Sequence, residues 1–408
     1  MSLERFIARK ILFNAPKSFS RYIVSIAVAA VALSLSVMIV AAAMVSGFQK
    51  EISSKVYGFW GHIHITKFGF GKSFEDNPVS MHQPFYPAHN SALPDNIRHI
   101  QVFANKAGII KTHEQIEGII LKGIGSDFDW DFFSKYLVKG EIFSTADSAE
   151  SRKILISSQT ASRLSLDTGD VINIYFIQTP PRMRRFEVSG IYNSGLEEYD
   201  RYYALVDIRH VQRLNDWDDT LVSGFEVYLD DVGKMHKTAD ELYYGVLGPD
   251  LTAQTIKEIY PNIFDWLELQ NMNEIIILVL MTLVAAINMI TCLLILILER
   301  TNMVGVLKAL GAENKSIQKI FLYKASYILA LGLFFGNIIG TGICLLQKYF
   351  HIIRLPEESY YVSVAPVDLS VISVAMLNAG TFLVCIIAML LPALIAGRIT
   401  PVKAIRFE

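Results

Sequence analysis

Four short patterns carry residue types that could do chemistry. GFGKS at 69–73 ends like a phosphate-binding loop, but that motif needs a glycine five residues before Gly71, and Thr66 stands there. His62 and His64 would share one face of a strand and could ligate a metal. Two donors do not close a site and spacing fixes no third, so an ordinary half-exposed strand is the simpler reading. RMRR at 182–185 is a basic cluster at a hairpin tip, a solvated turn by default and otherwise a contact for an acidic partner or anionic headgroups. Ser, His and Asp are scattered without a nucleophile elbow, and no HExxH helix occurs, so an enzyme is the weakest class. The fourth pattern, ERTNMVGVLKALGA at 299–312, follows directly on IIILVLMTLVAAINMITCLLILIL. There a membrane-grade run ends in one Glu-Arg pair and passes into an amphipathic segment closed by Gly311.

The elements that must hold these patterns follow from composition. The chain has 408 residues, 52% hydrophobic and 19% charged, with a mean hydropathy of +0.36. Four stretches lack Asp, Glu, Lys and Arg: 22–49, 275–298, 325–347 and 369–397. Each exceeds the ~20 residues needed to cross ~30 Å of hydrocarbon as a helix. AAAMVSG near the end of the first resembles a signal cleavage site, but a signal core runs only ~7–15 residues, which favours an uncleaved span. The expected fold class is a membrane protein of four transmembrane α-helices with a large α+β extracytoplasmic domain between spans one and two.

Lys and Arg beside the spans set the expected orientation. Residues 1–21, the 299–324 connection and the tail are rich in them, whereas the loop between spans three and four has only Lys348 and Arg354, offset by Glu357 and Glu358. The expected division is a cytoplasmic N-terminus (1–21), span one (22–49), a periplasmic domain (50–272), span two (273–298) and a cytoplasmic coupling helix (299–316). Span three (317–347), a short periplasmic loop (348–368), span four (369–397) and a cytoplasmic tail (398–408) complete it. Cys292, Cys344 and Cys385 fall inside spans, so no disulfide framework exists outside. A net charge of −2 points to no nucleic-acid partner.

In the external segment KEISSKVYG (50–58) continues helical spacing, and HIHIT (62–66) alternates like a strand. Strand-like runs follow at 116–124, 153–157, 170–177, 184–192 and 222–229. Ser157 and Asp207 are placed to cap short helices, and DTGD (167–170) reads as a turn. Gly332, Gly336 and Gly340 in span three fall on one helix face, a spacing that lets backbones approach in lipid. No Asp, Glu, Lys or Arg lies in the four charge-free stretches, so an ion-coupled carrier is disfavoured.

In the fourth pattern Met303, Val306, Leu307 and Leu310 form one apolar stripe. Physics alone allows an interfacial helix or a knob that inserts into a cytoplasmic ATPase. The segment resembles the ERTREIGILKALGA-like stretch of FtsX/MacB-type permeases of ABC transporters. LPALIAGRITPVKAIRFE resembles that superfamily's ending. FIARKIL, SGFQKEISSKVYGFWGHIHI, ILISSQTASRLSLDTGDVINIYF and RRFEVSGIYNSGLEEYDRYYALVDI are most similar to its lipoprotein-releasing (Lol-type) members.

The resemblance implies an inner-membrane permease, and the Lys and Arg bias puts both its termini in the cytoplasm. It implies a second permease, identical or paralogous, and an ABC ATPase pair. Acylated lipoproteins would be drawn from the outer leaflet and passed to a periplasmic carrier. No cofactor is expected in this chain, with ATP and Mg on the ATPase. Glu299, Arg300, Met303, Val306, Leu307, Leu310 and Gly311 would form the coupling segment. The family's carrier-docking hook is replaced by the short QTPPRMR, which leaves Pro181, Arg182, Met183 and Arg184 as the docking candidates. An acyl anchor leaving the leaflet needs an apolar surface near the external ends of spans one and two. Val40, Met44, Phe48 and Ile52 offer one, with Leu267, Met272, Ile275, Ile276 and Val279, unless these stripes only pack the two helices together. Rival expectations are an efflux-type permease, which usually carries a fused nucleotide-binding domain, a division-linked relay with a smaller external domain, and a membrane-anchored sensor.

Overall fold

The structure, a computed structural model, describes residues 19–69, 77–87, 93–111, 115–146, 150–356 and 360–397. Most of GFGKS, the N-terminal segment through residue 18 and the basic tail lie outside them. In chain order the α-helices and strands are α1 (Phe19–Trp60), β1 (Ile63–Lys67), β2 (Val79–Ser80), β3 (Ile97–Lys111), β4 (Ile116–Ile124), α2 (Asp131–Lys135), β5 (Leu137–Gly140) and β6 (Lys153–Ser157). Then come α3 (Ser158–Leu164), β7 (Val171–Phe176), β8 (Arg182–Tyr192), α4 (Glu197–Asp200), β9 (Tyr203–Asp207), α5 (Ile208–Leu214), β10 (Leu221–Val222) and β11 (Gly224–Leu229). The last are α6 (Met235–Gly245), β12 (Leu251–Thr255), α7 (Ile256–Ile259), α8 (Pro261–Glu299), α9 (Thr301–Ala309), α10 (Asn314–Phe350) and α11 (Val371–Gly397). They divide into a helical unit (1–50, 266–354, 364–408) and an α+β unit (51–265, 355–363).

In the helical unit α1, α8, α10 and α11 are each long and apolar enough to span a bilayer. The glycine stripe of α10 does what its spacing suggests. A Cβ at Gly332, Gly336 or Gly340 would fall 2.8, 2.9 and 3.1 Å from the Cβ atoms of Val31, Leu35 and Ile39 of α1. No larger residue would permit that approach. Asn337 and Asn378 join α10 to α11 by two reciprocal amide hydrogen bonds of 2.7 and 2.9 Å, satisfying polar groups that lipid could not. Around these contacts Leu35, Met289, Leu296, Leu329 and Met389 close the core.

The α+β unit is built on one ten-stranded sheet ordered β12-β1-β11-β3-β4-β9-β6-β8-β5, with β7 bridging β3 and β8. β4 pairs β9 and β6 pairs β8 in parallel, and the remaining ladders are antiparallel. The local signals hold. Ser157 Oγ accepts the Thr160 N–H at 3.1 Å to start α3, and Asp207 Oδ1 accepts the Arg209 N–H at 3.0 Å to start α5. In DTGD the Asp170 carboxylate takes the Asp167 N–H at 2.7 Å. The fifteen-residue strand β3, at the centre of the sheet, falls where no strand is expected from sequence.

Candidate functional site

Two side-chain bonds fix α1 against α8. Thr282 Oγ1 donates to Met38 Sδ at 3.4 Å, and Gln49 Nε2 donates to Asn271 Oδ1 at 2.5 Å. Both share one antiparallel register, so Met44 and Phe48 lie level with Ile276 and Met272. On α8, Met272, Ile275, Ile276 and Val279 are all more than half exposed. On α1, Val40, Met44 and Phe48 are half-buried.

Ile52 and Leu267 depart from the expected apolar surface, being 0% and 4% exposed. The reason is helical pitch. A step of four residues overshoots a turn by ~40°, so the three steps from Val40 to Ile52 rotate the side chain by ~120° and carry it to the packed face. Leu267 likewise stands ~80° from Ile275 around α8.

At the opposite end of α8 the chain breaks at Arg300 (φ −108°, ψ 19°) and restarts as α9. Where one coupling helix is expected over 299–316, there are α9, a turn from Leu310 to Glu313 and the first turn of α10. Gly311, at φ +94°, makes that turn and its N–H meets the Lys308 carbonyl at 3.0 Å. The expected stripe is divided. Met303 leans on the core and Leu307 is half-buried, while Val306 and Leu310 are 53% and 81% exposed. Val304, absent from the stripe, is fully buried in the bundle core. It lies ~160° around the helix from Val306, so seating Val304 turns Val306 outward. Glu299 closes α8 in an exposed position.

RMRR does not sit at the hairpin tip. Arg182 to Arg185 are already strand β8, paired with Phe176 to Asn173 of β7, and the turn is Ile177–Pro181. Arg182 is not free to dock: its guanidinium donates to the Arg213 carbonyl at 2.7 Å and to Asp216 at 2.6 Å. Arg184 has a buried Nε without an acceptor. Exposed apolar residues stand here beside exposed Arg185, with Ile177 84%, Met183 49% and Tyr175 41% exposed.

The two histidines are structural. His62 Nδ1 accepts the Leu229 N–H at 3.1 Å, and burial lowers its pKa to about 4. His64 lies 2.8 Å from the Trp60 carbonyl. Among the described residues no group of three His, Cys, Asp or Glu side chains could hold a metal.

One buried constellation has no counterpart in the sequence reading. Lys122 of β4 and Glu226 of β11, both wholly buried, pair at 2.7 Å across the intervening β3. Gln101 of β3 donates to Glu226 at 2.8 Å, and Lys122 donates to the Phe59 carbonyl at 2.8 Å. Burial pushes the Lys122 ammonium below its ordinary value. The signal in the sequence is one charged residue inside each of two apolar runs, IILKGI in β4 and GFEVYL in β11.

SGLEEYD folds into a turn saturated from within. Asp200 accepts from the Ser194 hydroxyl at 2.6 Å and from the Ser194 and Gly195 N–H groups at 3.0 and 3.1 Å, and burial raises its pKa to about 6. It borders a cleft of about 440 Å³ lined by Ser158, Gln159, Asn193, Gly195, Glu197 and Pro356. A carboxylate already holding three donors builds the loop rather than performing chemistry.

A profile described as FtsX-like permease C-terminal matches residues 275–401, and one described as MacB-like periplasmic core domain matches residues 24–242, more than half of the chain. The chain is 26% identical to the lipoprotein-releasing system transmembrane protein LolC of Xylella fastidiosa, over 96% of this chain and 95% of that one. It is 23% identical to the LolC protein of Neisseria meningitidis, covering 100% of both. The periplasmic region of MacB from Actinobacillus actinomycetemcomitans matches 49% of this chain and 91% of that one, at 15% identity and a TM-score of 0.35.

Proposed function

The chain belongs to the Lol-type FtsX/MacB-like permeases, and from that premise we propose that it lifts acylated lipoproteins out of the outer leaflet of the inner membrane. It is a permease subunit of an ABC transporter. In this reading a separate ATPase pair supplies ATP and Mg, a second permease completes the membrane part, and a periplasmic carrier receives the product. Both termini face the cytoplasm, as the Lys and Arg bias of the connections suggests.

The observation that supports the reading most is the apolar surface on α1 and α8. Each CH₂ of an acyl chain costs roughly 0.8 kcal/mol in water, so an anchor leaving the leaflet needs a continuous apolar host. Met44 and Phe48, level with Ile276 and Met272, provide one at the external end of the bundle, and methionine adapts to varied chain shapes. Ile177 and Met183 are the exposed residues best suited to a carrier, in place of Arg182.

A photo-crosslinker at Met44, Phe48 or Ile275 should capture lipoprotein in the nucleotide-free complex and release it with ATP. One at Ile386 of α11 should capture none. Equal labelling at all four positions, or none at the first three, refutes the site.

A further inference from the structure

At the end of the bundle where α8 stops and α10 rises, two cations form no ion pair among the described residues. Lys324 is 5% exposed and makes no hydrogen bond or ion pair among the described residues. Arg300 has a buried Nε with no acceptor. The charges within electrostatic reach of Lys324 are Arg300 and the carboxylate of Glu299, which stands exposed. Among the described residues two cations thus stand within reach of one carboxylate, a net positive charge in a packed site.

Position identifies what could neutralise it. Arg300 and Lys324 flank the charge-free runs 275–298 and 325–347 at their common end, where acyl chains give way to headgroups. A lysine at that level ordinarily snorkels to water, yet this one stays inside. Its ammonium is in electrostatic reach of Cys292, which is 3% exposed and lies ~10 Å up α8 from Glu299. Exposed Tyr323 and Tyr327 flank Lys324 on α10, as aromatic residues do at a lipid interface.

We propose that Arg300 and Lys324 form a binding site for the phosphate of one phospholipid of the cytoplasmic leaflet. The guanidinium supplies directional N–H donors to the phosphate oxygens and the ammonium supplies a point charge. Acyl chains on the same molecule cover the apolar surface beside them. A carboxylate from a soluble subunit fits less well, because the exposed apolar residues suited to a protein partner, Val306 and Leu310, lie beyond Arg300 on α9, away from the acyl region. The proposal uses the topology of the preceding subsection only to name the leaflet.

The test is native mass spectrometry of the full chain purified in detergent, offered dioleoylphosphatidylglycerol, the matching diacylglycerol or inorganic phosphate. The wild type should retain one phosphatidylglycerol per chain and about tenfold less diacylglycerol. Lys324→Met, an apolar replacement of similar length, and Arg300→Gln should each lower phospholipid retention severalfold while the chain remains folded by thermal melting. Equal retention in all three proteins, or equal retention of diacylglycerol, overturns the site. Displacement of the lipid by millimolar inorganic phosphate overturns the lipid as its occupant. Variants that keep the lipid but lose a co-purifying ATPase point to a protein carboxylate and overturn it as well. Lipoprotein release is not the readout, so failure here leaves the proposed function standing.

Discussion

Replacing Gly336 with alanine tests the spine of the bundle, because the same change at Gly342 should act in the opposite direction. A Cβ at Gly336 falls 2.9 Å from the Ala32 carbonyl oxygen and 2.9 Å from Leu35 Cβ. Relief to ordinary contact requires α1 and α10 to part by roughly 0.5 Å, a gap that forfeits a quarter or more of each dispersion well along the seam. Val31, Leu35 and Ile39, each no more than 1% exposed, line that seam. The expected cost is about 1–3 kcal/mol, partly offset by the ~1 kcal/mol that alanine gains over glycine in a helix. Gly342 has nothing within 4 Å of an added Cβ, so there the propensity gain stands alone. Reversible unfolding of the purified full chain in mixed micelles, followed by circular dichroism, should show Gly336→Ala destabilised and Gly342→Ala unchanged or stabilised. If both variants shift in the same direction by the same amount, the glycine stripe does not set the helix approach.

Leu310→Asp should abolish co-purification of the ATPase without lowering the melting temperature, because Leu310 is 81% exposed. Unchanged co-purification would move the coupling contact elsewhere. His62 is held neutral in the fold, with a pKa lowered to about 4 from 6.5. The unfolded chain therefore binds the extra proton first, and stability present above pH 6.5 is lost as pH falls toward 4, by up to roughly 3 kcal/mol. Asp200 acts in the opposite sense, since its raised pKa contributes stability at low pH that is lost as pH rises through about 6. The comparison of wild type with His62→Asn across this window isolates the histidine, and parallel stability curves would refute the assignment.

What the sequence discloses and what it hides divide by range. The spans are legible because lipid forbids charges over ~20 residues, a purely local constraint. The caps at Ser157 and Asp207 are legible because a cap needs one side chain and amides two or three positions on. Strand β3 is hidden because it carries Gln101, Asn105 and Lys106 amid its apolar residues, and two of these, Gln101 and Lys106, are buried by neighbours distant in the chain. Lys122 and Glu226 look like solvent-facing charges until the order β11-β3-β4 brings them together. Burial of one without the other would be strongly unfavourable, so the pair ties strand order to side-chain identity. At the candidate sites a pattern of residue types is legible but its phase is not. Spacing picks out an apolar face, and packing decides whether Ile52, Leu267 or Leu307 lies on its open or closed part.

The proposed transport cycle asks that ATPase motion at α9 reach an acyl chain at the other end of the bundle, and α8 is suited to carry it. From Met272 to Glu299 it is one uninterrupted helix, ~40 Å long, without an internal proline. Its only break before the coupling segment is at Arg300, and α9 is fastened to the bundle core by Val304. In the proposed cycle a push on Leu310 would be resisted by Val304 and passed to the base of α8 rather than absorbed in a loose loop. Burial within the four candidate spans agrees with this division of labour. The most apolar window of α1 is 44% buried and that of α10 is 39%, against 22% for α8 and 17% for α11. α1 and α10 approach closely along the glycine stripe and would be the fixed pair of that cycle. α8 meets α1 through the Met38 and Gln49 contacts and leaves its other face open, so moving it in such a cycle would break less packing than moving α10.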